Sequence, residues 1–186
     1  PAQQDMRFFP IGTGSIGGTY FPIGALIANA ISAPPGAPSC AQGGVCGVRG
    51  LIAVALATNG SVDNLHRLFG HQIQAALMQA DIAYWAQTGS YIFEGEPDFA
   101  GLRALAGLYP EVIHVVVRAD SDIRSLADLA DRRVVLGPSG SGTAADARVV
   151  LAMAGLSSEQ VTAIHLPLEE AADLLVEGEV DAFFMV

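Results

Sequence analysis

Phe8-Phe9-Pro10-Ile11-Gly12-Thr13-Gly14-Ser15-Ile16-Gly17-Gly18-Thr19-Tyr20 carries a short apolar run into a glycine-rich turn and then into a helix start. The stretch Val134-Val135-Leu136-Gly137-Pro138-Ser139-Gly140-Ser141-Gly142-Thr143 repeats that grammar. A helix start leaves backbone N–H groups without intrahelical acceptors and carries a partial positive charge. Glycine lets the backbone approach a ligand closely, and Ser or Thr adds hydroxyl donors and acceptors. Each stretch can therefore hold carboxylate or phosphate oxygens without Lys or Arg. The plainer reading is two ordinary strand-to-helix turns.

The 186 residues fit one large domain or two small lobes. With 51% hydrophobic residues and a mean hydropathy of +0.41, a packed core is expected. The apolar runs are short and interrupted, so no membrane-spanning helix is expected. Nine Arg, no Lys and nineteen acids give a net charge of −10, which argues against nucleic-acid or anionic-membrane partners. Backbone dipoles still leave a small anionic ligand open. Cys40 and Cys46 lack the further ligands of a zinc site and the spacing of a redox pair. A local disulfide is expected, implying an oxidising compartment, with two reduced loop thiols as the alternative. The sequence begins Pro1-Ala2-Gln3-Gln4, for which a processed or trimmed start is expected. It stops in the apolar, strand-like run Val180–Val186, for which a continuation is expected.

Outward from the first motif, strands are expected at Arg7–Ile11, Leu51–Ala57, Ile73–Met78, Leu102–Leu108, Val112–Val117, Val134–Leu136, Val161–Leu166 and Asp181–Val186. Helices are expected at Gly18–Ser32, from Ser61 as N-cap through Phe69, at Ile82–Gln87, at Ser125–Ala130 with a Ser125/Asp128 capping box, from Ala145 to Met153, and at Leu168–Val176. Ala33–Arg49 reads as a long surface loop, and 89–101 as irregular. The alternation calls for parallel sheets with helices on both faces and ligands at the carboxyl ends of the strands.

Gly12, Gly14 and Gly17 match the dinucleotide fingerprint, but the expected acid at the end of the second strand is replaced by Ala57-Thr58-Asn59. The second loop has no Lys and is not a Walker loop. No Ser sits in a Gly-x-Ser-x-Gly elbow. His66, His71, His114 and His165 are scattered and read as surface or packing residues. Trp85 and Tyr84 read as core, with one of them facing a ligand as the alternative. No catalytic group, cofactor or metal set is picked out.

The run Gly12 to Gly24 resembles the opening motif of the TAXI family, the solute receptors of tripartite ATP-independent periplasmic (TRAP) transporters. The resemblance continues through Thr58–Asn64, Gln79–Tyr84, Leu105–Glu111, His114–Arg118, Ser125–Leu129, Gly137–Thr143 and Val180–Phe184. It implies a type II periplasmic-binding-protein fold, in which two α/β lobes close on a ligand in a cleft. The lobes are expected at 1–112 and 113–186, the second incomplete and without the return crossing. The Cys-bearing loop at 34–49 is an insertion with no assigned role. The implied function is that of a periplasmic, non-enzymatic receptor. It would bind a small organic acid, such as glutamate or a related dicarboxylate, and present it to a TRAP permease. Thr13, Gly14, Ser15 and Gly18 are the expected first-lobe contacts, with Ser61, Asn64 and Gln79 adding polar groups. Tyr109 would cover the ligand, and Ser139, Ser141, Gly142 and Thr143 would hold it from the second lobe. The alternatives are a transferase-like enzyme on the same architecture and a cytosolic ligand-sensing domain with reduced cysteines.

Overall fold

The computed structural model describes residues 6–96, 99–157 and 159–186. The start at Pro1–Asp5 and part of the 89–101 stretch lie outside the described residues. Two compact units divide the chain, Pro1–Met78 and Gln79–Val186.

In the first unit, strand β1 (Arg7–Gly12) leads to helix α1 (Tyr20–Ile31). The short pair β2 (Ser32–Ala33) and β3 (Val48–Arg49) brackets the Pro/Gly/Cys loop. Strand β4 (Leu51–Leu56), helix α2 (Ser61–Phe69) and strand β5 (Ala75–Ala76) follow. β1 lies between β4 and β5, parallel to both, with Arg7 opposite Leu51 and Gly12 opposite Leu56. Side chains alternate across a strand. Ile11, Ala53 and Leu77 form one buried cluster with Ala28 of α1, and Phe9, Ile23, Ile27 and Ile31 pack around it. Position 12 faces the other way, toward Asn64 of α2.

Three expectations in this unit are corrected. The strand expected at Ile73–Met78 pairs only at Ala75–Ala76. Pro10 accepts a bond from Gln74 N–H but has no N–H to return, so the ladder begins only beyond it. Ser61 is not the N-cap: Gly60 holds the cap position with φ 108°, and Ser61 is the first helical residue. The Ala33–Arg49 loop carries structure of its own, a turn of 3₁₀ helix at Cys40–Gln42 and a disulfide between Cys40 and Cys46. The bridge corresponds to the disulfide expected from the spacing.

The second unit opens with helix α3 (Ala80–Thr88). Trp85 packs on Tyr91 with ring centroids 4.7 Å apart, whereas Tyr84 is exposed and is not a core residue. Strand β6 (His114–Val117), strand β7 (Arg133–Val135), helix α4 (Gly142–Met153), strand β8 (Thr162–Ile164), helix α5 (Leu168–Glu177) and strand β9 (Ala182–Met185) complete it. The order is β6-β9-β7-β8. β7 runs parallel to β8 and β9, but β6 is antiparallel to β9, so the sheet is mixed rather than wholly parallel. The expected strand at Leu102–Leu108 does not form: 102–113 contains neither helix nor strand, and Leu105 is 87% exposed. An apolar run becomes a strand only where a ladder partner takes its backbone groups, and none pairs with it among the described residues.

Alternation along β7 and β9 sorts the core into two layers. Val134, Ala182 and Phe184 pack with Ala147 and Leu151 of α4. Val135 and Phe183 pack with Ala171 and Leu175 of α5. Helices thus cover both faces of this sheet, as the strand–helix alternation requires. Asp181 ties the strand starts together, accepting from Arg133 N–H at 2.8 Å and from its guanidinium at 2.8 and 3.1 Å. The Ser125/Asp128 capping box is present on a short 3₁₀ turn, Leu126–Leu129. No described helix is long and apolar enough to cross a membrane.

Leu151 is fully buried on the α4 side. Leu151→Ala is expected to lower unfolding free energy by about 2–5 kcal/mol, measured by urea denaturation. A change near zero would show that this layer is loosely packed.

Candidate functional site

In the first unit the expected site residues gather at the carboxyl ends of the strands. Thr13 is fully buried, and both its N–H and its hydroxyl donate to Leu56 O, at 3.0 and 2.6 Å. Asn64 is equally buried. Its Nδ2 donates to Thr13 O at 2.7 Å and to Leu77 O at 2.8 Å, and its Oδ1 accepts from Thr58 Oγ1 at 2.7 Å. One amide therefore joins the residues that follow β1, β4 and β5. A Cβ at Gly12 would stand 2.5 Å from Asn64 Oδ1, so the first glycine of the motif is required by this close approach. Thr58 N–H donates to Gly14 O at 3.1 Å, and Gly60 N–H donates to Thr58 Oγ1 at 3.2 Å. Thr13 and Asn64 thus spend their polar atoms on the loop itself. Ser15 and Gly18, joined by a 3.1 Å backbone bond, stay half-buried before α1, and Ser61 opens α2 with 1% exposure.

The loop of the second unit is set by different means. Gly137 has φ 103°, and a Cβ there would lie 3.0 Å from Thr143 Cβ. His165 Nδ1 lies 2.9 Å from Gly137 O and fixes the turn from β8. Ser141 is the N-cap of α4: its hydroxyl accepts from Ala144 N–H at 3.0 Å. Gly142 is buried, Thr143 half-buried and Ser139 exposed. Four of the expected contacts therefore lie within this one turn.

Gln79, the residue before α3, does not join the first-unit group. Its Nε2 donates to Asp146 Oδ2 of α4 at 2.7 Å. Asp146 is 3% exposed, and Asp81 hydrogen-bonds it through its own carboxyl group. Burial, the bond from Asp81 and the charge of Asp81 raise the Asp146 pKa to about 7, against the lowering effect of Gln79. Tyr109 lies in the irregular 102–113 segment, with its hydroxyl oxygen buried and unpartnered among the described residues. Burial and then the Glu111 carboxylate push its pKa up. Sequence reasoning missed Thr58, Asp146 and His165. The signal for Asp146 was available: one acid inside Ala144-Ala145-Asp146-Ala147, on a stretch otherwise small enough to be buried. Nothing local marks Thr58 or His165, whose roles depend on distant backbone atoms. No group of three or more His, Cys, Asp or Glu able to hold a metal occurs among the described residues.

If the Asn64 amide is the tie described, the isosteric Asn64→Asp removes both donors and points a carboxylate at two carbonyls. A loss of roughly 2–4 kcal/mol is expected, since a buried group left unsatisfied costs about 1–3 kcal/mol. Urea midpoints would measure it, and an unchanged midpoint would contradict the assignment.

Solved structures of similar fold are binding proteins. The alkanesulfonate-binding protein SsuA from Xanthomonas axonopodis pv. citri, bound to MOPS, matches with TM-score 0.58 and 19% identity, over 96% of this chain and 54% of that one. The periplasmic aliphatic sulphonate binding protein SsuA from Escherichia coli matches with TM-score 0.52 and 17% identity, over 96% and 50%. An ancestral arginine-binding protein bound to arginine matches with TM-score 0.53 and 20% identity, over 97% and 70%. The chain spans about half the length of the two sulfonate-binding proteins. At these identities the likeness establishes the α/β fold of periplasmic substrate-binding proteins. Residues 11–186 match the NMT1-like family, and the protein belongs to that family.

Proposed function

We infer that the protein is an extracytoplasmic solute receptor that binds a small organic anion without transforming it. The observation that carries this reading is the pair of Gly/Ser loops, β1 into α1 and β7 into α4, each placing a helix start at the carboxyl end of a parallel strand. Such ends attract anions through unpaired N–H groups and the helix dipole. Gly14, Ser15, Gly18 and Ser61 would contact the ligand from the first unit, and Ser139, Gly142 and Thr143 from the second. Thr13, Asn64 and Ser141 would act mainly by holding the loops. Gln79 would reach the ligand from the start of α3, and Tyr109 would cover it. The binding proteins of similar fold support a ligand-carrying role. The disulfide supports an oxidising, extracytoplasmic compartment.

The finer reading is a TAXI-type receptor that delivers glutamate or a related dicarboxylate to a TRAP permease. It rests on the motifs from Gly12 to Gly24 and Gly137 to Thr143. The division into lobes at 112/113 belongs to the same reading. The first sheet ends at Ala76 and the second begins at His114, which is compatible with that division, while the compact units part at Met78 and Gln79.

A thermal-shift screen of amino, dicarboxylic and sulfonic acids tests the proposal. A ligand at about 100 times its Kd adds roughly 2.7 kcal/mol to stability, so a cognate acid raises Tm by several degrees. Thr143→Ala and Ser15→Ala are each expected to weaken that acid about tenfold, the size of one hydrogen bond to a charged group. Unchanged affinity in both variants would overturn the site assignment, and the absence of any stabilising acid would overturn the anion reading.

A further inference from the structure

Asp146 is a poor residue for its place. It sits on the buried side of α4 beside Ala144, Ala145 and Ala147, and only 3% of it is exposed. Among the described residues no Arg or His forms an ion pair with it. The groups that face it are Gln79 and Asp81 from the start of α3 and Glu111 from the 102–113 segment. Gln79 supplies one donor at 2.7 Å to Oδ2, while Asp81 and Glu111 add only negative charge. Asp81 is itself held in place, its Oδ1 accepting Ile82 N–H at 2.8 Å. Two ionised carboxylates have no proton between them and cannot hydrogen-bond. A carboxyl–carboxyl contact in a dry setting therefore requires one proton for the pair.

We propose that Asp146 is the positioning residue for Gln79, through a single proton that it shares with Asp81, and that this proton latches the start of α3 onto α4. Release of the proton leaves a buried negative charge on Asp146 facing the half-buried Asp81 carboxylate and loosens the contact that holds Gln79. The sign follows from linkage. The folded-state pKa of Asp146 lies above the unfolded value, so the folded chain keeps a proton that the unfolded chain has released. The latch is intact at low pH and weakens as pH rises from the ordinary Asp range to about 7, above which its cost is fully in place. Any effect on ligand affinity rests on the receptor reading above. The test is made without ligand, so failure of either reading leaves the other standing.

The experiment is a carboxyl-carbon NMR titration of ¹³C-labelled protein, with urea midpoints measured from about pH 3 to about pH 8. The Asp146 carboxyl is expected to titrate near neutrality in the native protein, and its midpoint to fall by at least about one pH unit in Asp81→Asn. Asp146→Asn keeps the shape and the bond to Gln79 but cannot ionise. Its urea midpoint is expected to exceed the native one at high pH, to match it at low pH, and to lose most of the fall between them. Titration of Asp146 wholly in the ordinary carboxylate range would overturn the proposal. So would a near-neutral midpoint that persists in Asp81→Asn, since burial alone would then account for it. If Asp146→Asn does not fold, the two carboxyl titrations decide the matter alone.

Discussion

A parallel sheet ends in carbonyls that the ladder no longer pairs, and in the first unit one side-chain amide takes up that burden. Asn64 binds Thr13 O and Leu77 O and accepts from Thr58, so the exits of β1, β4 and β5 are held by one residue of α2. Buried polar atoms left without partners are costly, and this arrangement leaves Asn64 none. It also explains why Gly12 carries no side chain, since the amide occupies the space a Cβ would need. The loop that follows, from Gly14 to Gly18, is then free to turn back on itself and open α1.

The second unit reaches a similar loop by another route. No Asn crosses beneath it. A left-handed glycine at 137, a bond between His165 and that glycine's carbonyl, and the Ser141 cap set the path instead. Both solutions put the polar capacity of the buried residues into rigidity. A recognition surface made of backbone N–H groups needs such support, because its donors are only as well placed as the turn that carries them. On the proposed reading, a net charge of −10 is compatible with an anionic ligand, since the attraction would be local and dipolar.

Much of the fold was legible in the sequence because strand and helix periods were clean where burial was one-sided. The helices Tyr20–Ile31 and Leu168–Glu177 show this, the last stopped by Gly178 in the left-handed region, whereas Arg7–Ile11 was legible from an apolar run bounded by Gly12. The failures have physical causes. Ile73–Met78 has a strand's composition, but Pro10 in its neighbour withholds the donor that pairing needs. Leu102–Leu108 is apolar enough to be a strand, yet composition cannot reveal whether a partner exists. The strand β6 was legible but its antiparallel direction was not, because strand direction is a property of the pair. At the site, glycines and hydroxyls announced the loops, whereas the separation of supporting from exposed residues depended on contacts such as Asn64 with Thr13, 51 positions apart. Asp146 was overlooked although its setting among alanines was a signal, because the partners that give it a role, Gln79 and Asp81, lie more than sixty positions away.

The central claim is that both loops bind the anion through their helix starts. Amide chemical shifts of ¹⁵N-labelled protein, followed during titration with the acid that most raises Tm, test it most directly. The account predicts saturable shifts at Gly14–Gly18 and at Gly142–Thr143 with a common Kd. Shifts confined to one loop, or centred on residues away from both, would contradict it.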